Sequence, residues 1–202
     1  MTPAARLSAA IELIETIDTQ RVPAAKALKE WGTAHRFAGS GDRAAIAGLV
    51  WDVLRRRASS AWLMDADTPR ARALGMLRLE RGMDTETISN LCHGERFAPE
   101  PLSGAERTAL TSRSLSDAPP HIAGDYPEWL DAHLAEMFGD DRMRTYFDLV
   151  AGADGWQQYF DEQNIDVVLV RWIDGLSRVM LNDPNWRVAY RTNNDGLFIR
   201  AT

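Results

Sequence analysis

Twice in its first seventy residues the chain sets threonine-proline directly ahead of an apolar pattern recurring every three or four positions: Thr2-Pro3 and Thr68-Pro69. Threonine supplies an oxygen for an orphan helix amide, and proline suits the first helical position, where no N–H is needed. Behind Thr2-Pro3, Leu7, Ile11, Ile14 and Ile17 form one stripe. Behind Thr68-Pro69 come Leu74, Leu77 and Leu79, with Gly82 as the stop. Between them, Val22-Pro23 opens a helix carrying Ala24, Leu28 and Trp31, and Gly39-Ser40-Gly41-Asp42 breaks the chain. A further helix has Ile46, Leu49, Val50, Val53 and Leu54 on one face and ends in Arg55-Arg56-Arg57; the short apolar piece 61–64 follows. Asp84 caps a brief helix with Ile88 and Leu91, and Ser103-Gly104-Ala105-Glu106 fits a capping box ahead of Leu110. Pro127 to Phe138 reads as one more amphipathic helix, ended by Gly139. An all-helical bundle to about residue 139 is expected.

The pattern then changes. Helix-like stretches at 142–150 and 156–163 lead to Ile165-Asp166-Val167-Val168-Leu169-Val170, a short β-branched run with the character of a buried strand. Leu176 to Leu181 has helical spacing. Trp186 to Tyr190 alternates as a half-buried strand, and Asn193-Asn194-Asp195-Gly196 turns the chain into Leu197-Phe198-Ile199. The expected fold class is mainly α: residues 1–139 as a helical bundle and 140–202 as a small β-α-β-β unit, with no internal repeat or low-complexity segment.

Composition excludes several classes. With 45% hydrophobic and 26% charged residues the chain has globular proportions, and its longest apolar run, Ile165 to Val170, is interrupted by Asp166, far short of a span. The amino-terminal pattern contains acids and no cleavage-like site, which predicts a helix rather than a signal peptide. One cysteine, Cys92, rules out an intramolecular disulfide framework and suits a reducing cytoplasm. The net charge of −6 hides an asymmetry: 13 Lys/Arg face 9 Asp/Glu through Gly82, against 10 and 20 afterwards. Any polyanion contact therefore belongs to the front.

Arg36-Phe37-Ala38 through Arg55-Arg56-Arg57, with the front helix, then the run from Ala73 through Glu95 and Leu110, and Asp117 through Asp140, resembles the NusB-like domain of bacterial 16S ribosomal RNA cytosine-C5 methyltransferases. The likeness covers about residues 1–139. It implies a helical domain that holds small-subunit ribosomal RNA ahead of a catalytic domain using S-adenosylmethionine. That catalytic part is expected to show a glycine-rich D-x-C-A-A-P-G-G-K donor loop and two cysteines, one attacking the pyrimidine ring and one assisting proton loss. Neither occurs in these 202 residues, where Cys92 stands alone, so no catalytic residue, cofactor site or metal site is assigned. The tail, from Gly155 through Val170 and Leu181 through Arg200, resembles the soluble carboxy-terminal end of bacterial multi-pass membrane proteins of glycosyltransferase type, which implies a fusion of two unrelated ends.

The RNA-contacting candidates are Arg43, Arg55, Arg56 and Arg57, with Arg36, Lys26 and Lys29 as outer members, since guanidinium groups pair bidentately with phosphate. The bland alternative is that Arg55 to Arg57 only complement a helix dipole. Phe37 is a candidate base-stacking ring, but a plug anchoring its loop is the expected role. Trp31, Trp51 and Trp62 are expected in the core. Cys92 beside His93 reads as a buried structural thiol. His121, Asp125 and His133 match no zinc spacing, and Gly39-Ser40-Gly41 reads as a plain turn. The competing function left open is a protein–protein interaction module without RNA binding, or a non-functional fusion product.

Overall fold

The computed structural model describes residues 1–139 and 142–201. Its contacts divide the chain into two units, Met1–Glu128 and Trp129–Thr202. The expected boundary at residues 139–140 lies eleven residues later, and Asp140 and Asp141 fall outside the described residues.

Unit 1 is helical: α1 (Pro3–Gln20), α2 (Ala24–Ala34), α3 (Ser40–Arg55), α4 (Arg57–Met64), α5 (Pro69–Leu79), α6 (Thr85–Leu91), α7 (Gly104–Ser112) and α8 (Pro120–Ala123). The capping signals act as expected. Thr2 accepts from the Ala5 amide at 3.2 Å, Thr68 from Ala71 at 3.1 Å and Asp84 from Thr87 at 2.7 Å. The capping box at Ser103 and Glu106 closes in both directions. Gly82, at φ +62°, lets the Met83 amide reach back to the Leu77 carbonyl and ends α5.

Helix α5 is the centre of the unit. Seven consecutive residues, Ala71 to Leu77, are buried, and α1, α3, α4, α6 and α7 all pack on it. A helix enclosed on every side needs no polar face, yet this one carries Arg72. Around it Leu7, Leu13, Ile14, Ile46, Val50, Val53, Ile88 and Leu110 close the core. The apolar piece at 61–64 is the end of α4, the partner of α5: Gly75 lies so close to Ser60 that an added Cβ would sit 2.6 Å from its carbonyl oxygen. Trp31 and Trp62 are half-buried, but Trp51 is 41% exposed, which corrects its core assignment.

Unit 2 begins within a 3-10 turn (Glu128–Leu130) that runs into α9 (Asp131–Phe138), followed by α10 (Arg142–Ala151), α11 (Trp156–Glu162), β1 (Val167–Arg171), α12 (Gly175–Leu181), β2 (Trp186–Arg191) and β3 (Asp195–Arg200). The expected β-α-β-β order is present. The sheet is antiparallel throughout, ordered β1-β3-β2. Trp156, Phe160, Val170, Leu176, Met180, Trp186 and Phe198 form its core, with Phe160 and Trp186 ring centroids 5.6 Å apart. The buried-strand expectation for Ile165 to Val170 is corrected. β1 lies at a sheet edge, with Val167 and Leu169 58% and 70% exposed and Val170 buried. An apolar run signals burial on both faces only when both are covered.

Candidate nucleic-acid interface

The loop joining α2 to α3 is short and tightly held. The backbone N–H of His35 donates to the Trp31 carbonyl, and Nδ1 of the same histidine lies 2.9 Å from that oxygen. The Ala38 amide donates to the His35 carbonyl at 3.0 Å, closing a turn, and Arg43 Nε donates to the Ala38 carbonyl at 2.9 Å. Ala38 is 1% exposed. It is the plug of this loop, and Phe37 is not: its ring is 74% exposed. That overturns the anchoring role expected for Phe37. The ring meets His35 edge-on at 5.7 Å, and His35 stacks on Trp31 at 4.4 Å.

On one side of this loop, Lys29, Arg36 and Arg43 line a shallow groove of about 590 Å³ with Leu28, Gly32 and Thr33. No acidic residue lines it, and among the described residues no ion pair engages those three cations. Asp42, the acid next to Arg43, is turned to the start of α1, where the amino terminus at 3.0 Å and Arg6 at 2.8 Å hold its carboxyl below the usual carboxylate range. The groove is therefore cationic although unit 1 as a whole is nearly neutral, with 16 Lys/Arg against 17 Asp/Glu.

The other candidates lie elsewhere and are engaged. Arg55 pairs with Asp52, Arg56 with Glu80 at 2.8 Å and Asp125 at 3.8 Å, and Arg57 with Asp18 at 3.3 Å and Asp67 at 3.5 Å. Their partners lie on α1, on α3, at the end of α5, beyond α8 and ahead of α5, so each of the three arginines is paired with its own acids and they do not gather as one unpaired cationic cluster. Lys26 sits 3.8 Å from Glu30 on an exposed helix face and does not line the groove.

A second loop was not anticipated as functional. After α6, Gly94 at φ +73° and Arg96 at φ +52° fold residues 92–98 into a turn, with the Gly94 amide on the Pro99 carbonyl at 2.9 Å and the Ala98 amide on the Glu95 carbonyl at 3.0 Å. A Cβ at Gly94 would lie 2.8 Å from the Pro101 ring, so this conformation belongs to glycine. Phe97 is left 78% exposed. The available signal was a repeated tripeptide: Arg36-Phe37-Ala38 and Arg96-Phe97-Ala98. Both occupy the last three positions of a turn closed by a 3.0 Å bond to the alanine amide. The two phenylalanines line a single apolar cavity of about 810 Å³, floored by Ala5, Ser8 and Ala9.

Cys92 is 2% exposed, and burial pushes its thiol above its ordinary range, which leaves it a poor nucleophile. Asp125, once weighed with His121 and His133, instead accepts from the Ser59 amide at 2.8 Å. Among the described residues no helix is long and apolar enough to cross a membrane. No family model matches this chain, and neither curated proteins nor solved structures give a match.

Proposed function

We propose that unit 1 is a ribosomal RNA-binding domain, NusB-like in type, of the kind that precedes the catalytic domain of 16S ribosomal RNA cytosine-C5 methyltransferases, and that this chain binds RNA without methylating it. The observation that carries the reading is the groove in which Lys29, Arg36 and Arg43 converge with no carboxylate among its lining residues. Three cations without acidic partners suit phosphate oxygens, because binding displaces condensed counterions rather than an existing ion pair. The resemblance of residues 1–139 to that family supplies the RNA class.

The test is a salt titration of binding to a fragment of small-subunit ribosomal RNA. Wild type is expected to bind at low salt, with affinity falling steeply as salt rises. The triple variant Lys29→Ala/Arg36→Ala/Arg43→Ala removes three phosphate contacts, so the log–log salt slope is expected to shrink by about 2 to 3. Arg57→Ala, whose side chain serves Asp18 and Asp67, leaves the slope unchanged. A wild-type slope near zero, or no binding at low salt, overturns the RNA reading in favour of a protein-interaction module.

A further inference from the structure

In the repeated Arg-Phe-Ala turns it is the alanine, not the phenylalanine, that is tucked in: Ala38 is buried and Ala98 half-buried. In each, the alanine amide closes the turn and the ring is left in solvent, 74% exposed at Phe37 and 78% at Phe97. Two large aromatic rings exposed on separate loops and lining one cavity form the kind of exposed apolar surface that marks an interaction site. The turns themselves are well defined: Ala38 is buried and takes Arg43 on its carbonyl, and Gly94 is wedged against Pro101.

We infer that Phe37 and Phe97 form a clamp for the unpaired bases of single-stranded RNA, with Arg36 and Arg96 meeting the flanking phosphates. The inference rests on the RNA reading above and extends it by specifying which form of RNA is held. Each ring is preceded in sequence by an exposed arginine, the arrangement that alternates stacking platforms with phosphate contacts along a strand. The cationic groove of Lys29, Arg36 and Arg43 shares the Phe37 loop, so backbone phosphates can continue from one to the other. Glu12 and Glu95 also line the cavity. Carboxylates repel phosphate but accept hydrogen bonds from the amino edges of bases, which places bases rather than backbone inside. His93, whose Nδ1 accepts from the Glu95 amide at 3.3 Å, lines the same cavity. A continuous A-form duplex keeps its bases stacked internally and cannot offer their faces to either ring.

The experiment compares binding of the full chain to an unstructured RNA strand of about 12 nucleotides with binding to the same strand annealed to its complement. The strand is expected to bind at least about tenfold more tightly than the duplex, and Phe37→Ala and Phe97→Ala are each expected to weaken strand binding by roughly 5- to 100-fold, with duplex affinity and salt slope unchanged. Both rings are exposed, so the variants are expected to keep their circular dichroism. Phe37→Leu preserves apolar area without a planar face and is expected to bind like the alanine variant, whereas Phe37→Trp retains wild-type affinity. Equal affinity for strand and duplex, unaltered binding by the alanine variants, or full activity of Phe37→Leu overturns the clamp. If those results accompany a loss of binding in the Lys29/Arg36/Arg43 variant, the RNA reading itself stands; absence of binding to either RNA removes both.

Discussion

Arg72→Ala is expected to destabilise unit 1 by about 3 kcal/mol, the low end of what removing one partner of a buried pair costs. Arg72 is 2% exposed in the first turns of α5. One nitrogen of its guanidinium binds Asp18 near the end of α1, and Nε lies 3.1 Å from Asp67 and 3.3 Å from the Thr68 carbonyl. Its Nη1 is buried with no hydrogen-bond partner among the described residues, so the group is held by its attachments rather than fully satisfied. Removing it leaves a void and strands Asp18 with Arg57 alone. Denaturant unfolding followed by circular dichroism measures the loss, and Arg72→Met separates charge from volume because it refills the space. The pH dependence identifies the partner. Burial raises the Asp18 pKa, but the hydrogen bond and charge of Arg72, with Arg57, outweigh this and hold the carboxyl below its ordinary value. A depressed folded pKa contributes stability above the unfolded value and loses it as pH falls through the folded one. The gap between wild type and Arg72→Met is therefore expected to be full at neutral pH and to narrow below about pH 4. A gap that stays constant down to pH 3 would mean that Asp18 is not the partner that matters.

The second large effect comes from one substitution made at two glycines. In a helix interior alanine is favoured over glycine by about 1 kcal/mol, so propensity alone predicts stabilisation at both Gly48 in α3 and Gly75 in α5. At Gly48 the nearest atom to an added Cβ is Nη2 of Arg81 at 3.8 Å, an ordinary van der Waals contact, and Gly48→Ala is expected to stabilise by up to about 1 kcal/mol. At Gly75 the added carbon meets Ser60 backbone, 2.6 Å from its oxygen and 2.8 Å from its Cα. Backbone cannot rotate aside as a side-chain tip can, so α4 and α5 must separate. Overpacking of this kind costs about 1 to 3 kcal/mol and here exceeds the propensity gain. Gly75→Ala is expected to lower the unfolding midpoint while Gly48→Ala raises it. Equal shifts in one direction would show that α4 and α5 do not approach this closely.

The candidate site divides along the same line as those glycines. Arg43, Arg36 and Lys29 were accessible from sequence as cations in the more basic front of the chain, within or beside the stretch that carries the family resemblance. Arg55 to Arg57 also gave a local signal, but their acidic partners were not legible in it. Their pairing with Asp52, Glu80, Asp125, Asp18 and Asp67 joins residues up to 69 positions apart in sequence, and no periodicity reports such distances. Phe37 was misjudged because sequence does not say which of two adjacent residues anchors a turn, and the smaller Ala38 fits the core. Phe97 was overlooked although its tripeptide stood in the sequence twice.

What the amino-acid order settled alone were the elements whose causes lie within one turn of the chain: the threonine, aspartate and serine caps, the Glu106 capping box, the Gly82 stop, and the β-α-β-β order of the tail. Each depends on a hydrogen bond or backbone preference reaching no more than a few residues. Tertiary structure decided which carboxylates neutralise which arginines, that Arg72 is enclosed, that one face of β1 is left open, and that two distant Arg-Phe turns line one cavity. Those outcomes follow from packing, because burial and Coulomb pairing depend on distance in space, and chain separation leaves that distance undetermined until the helices have docked.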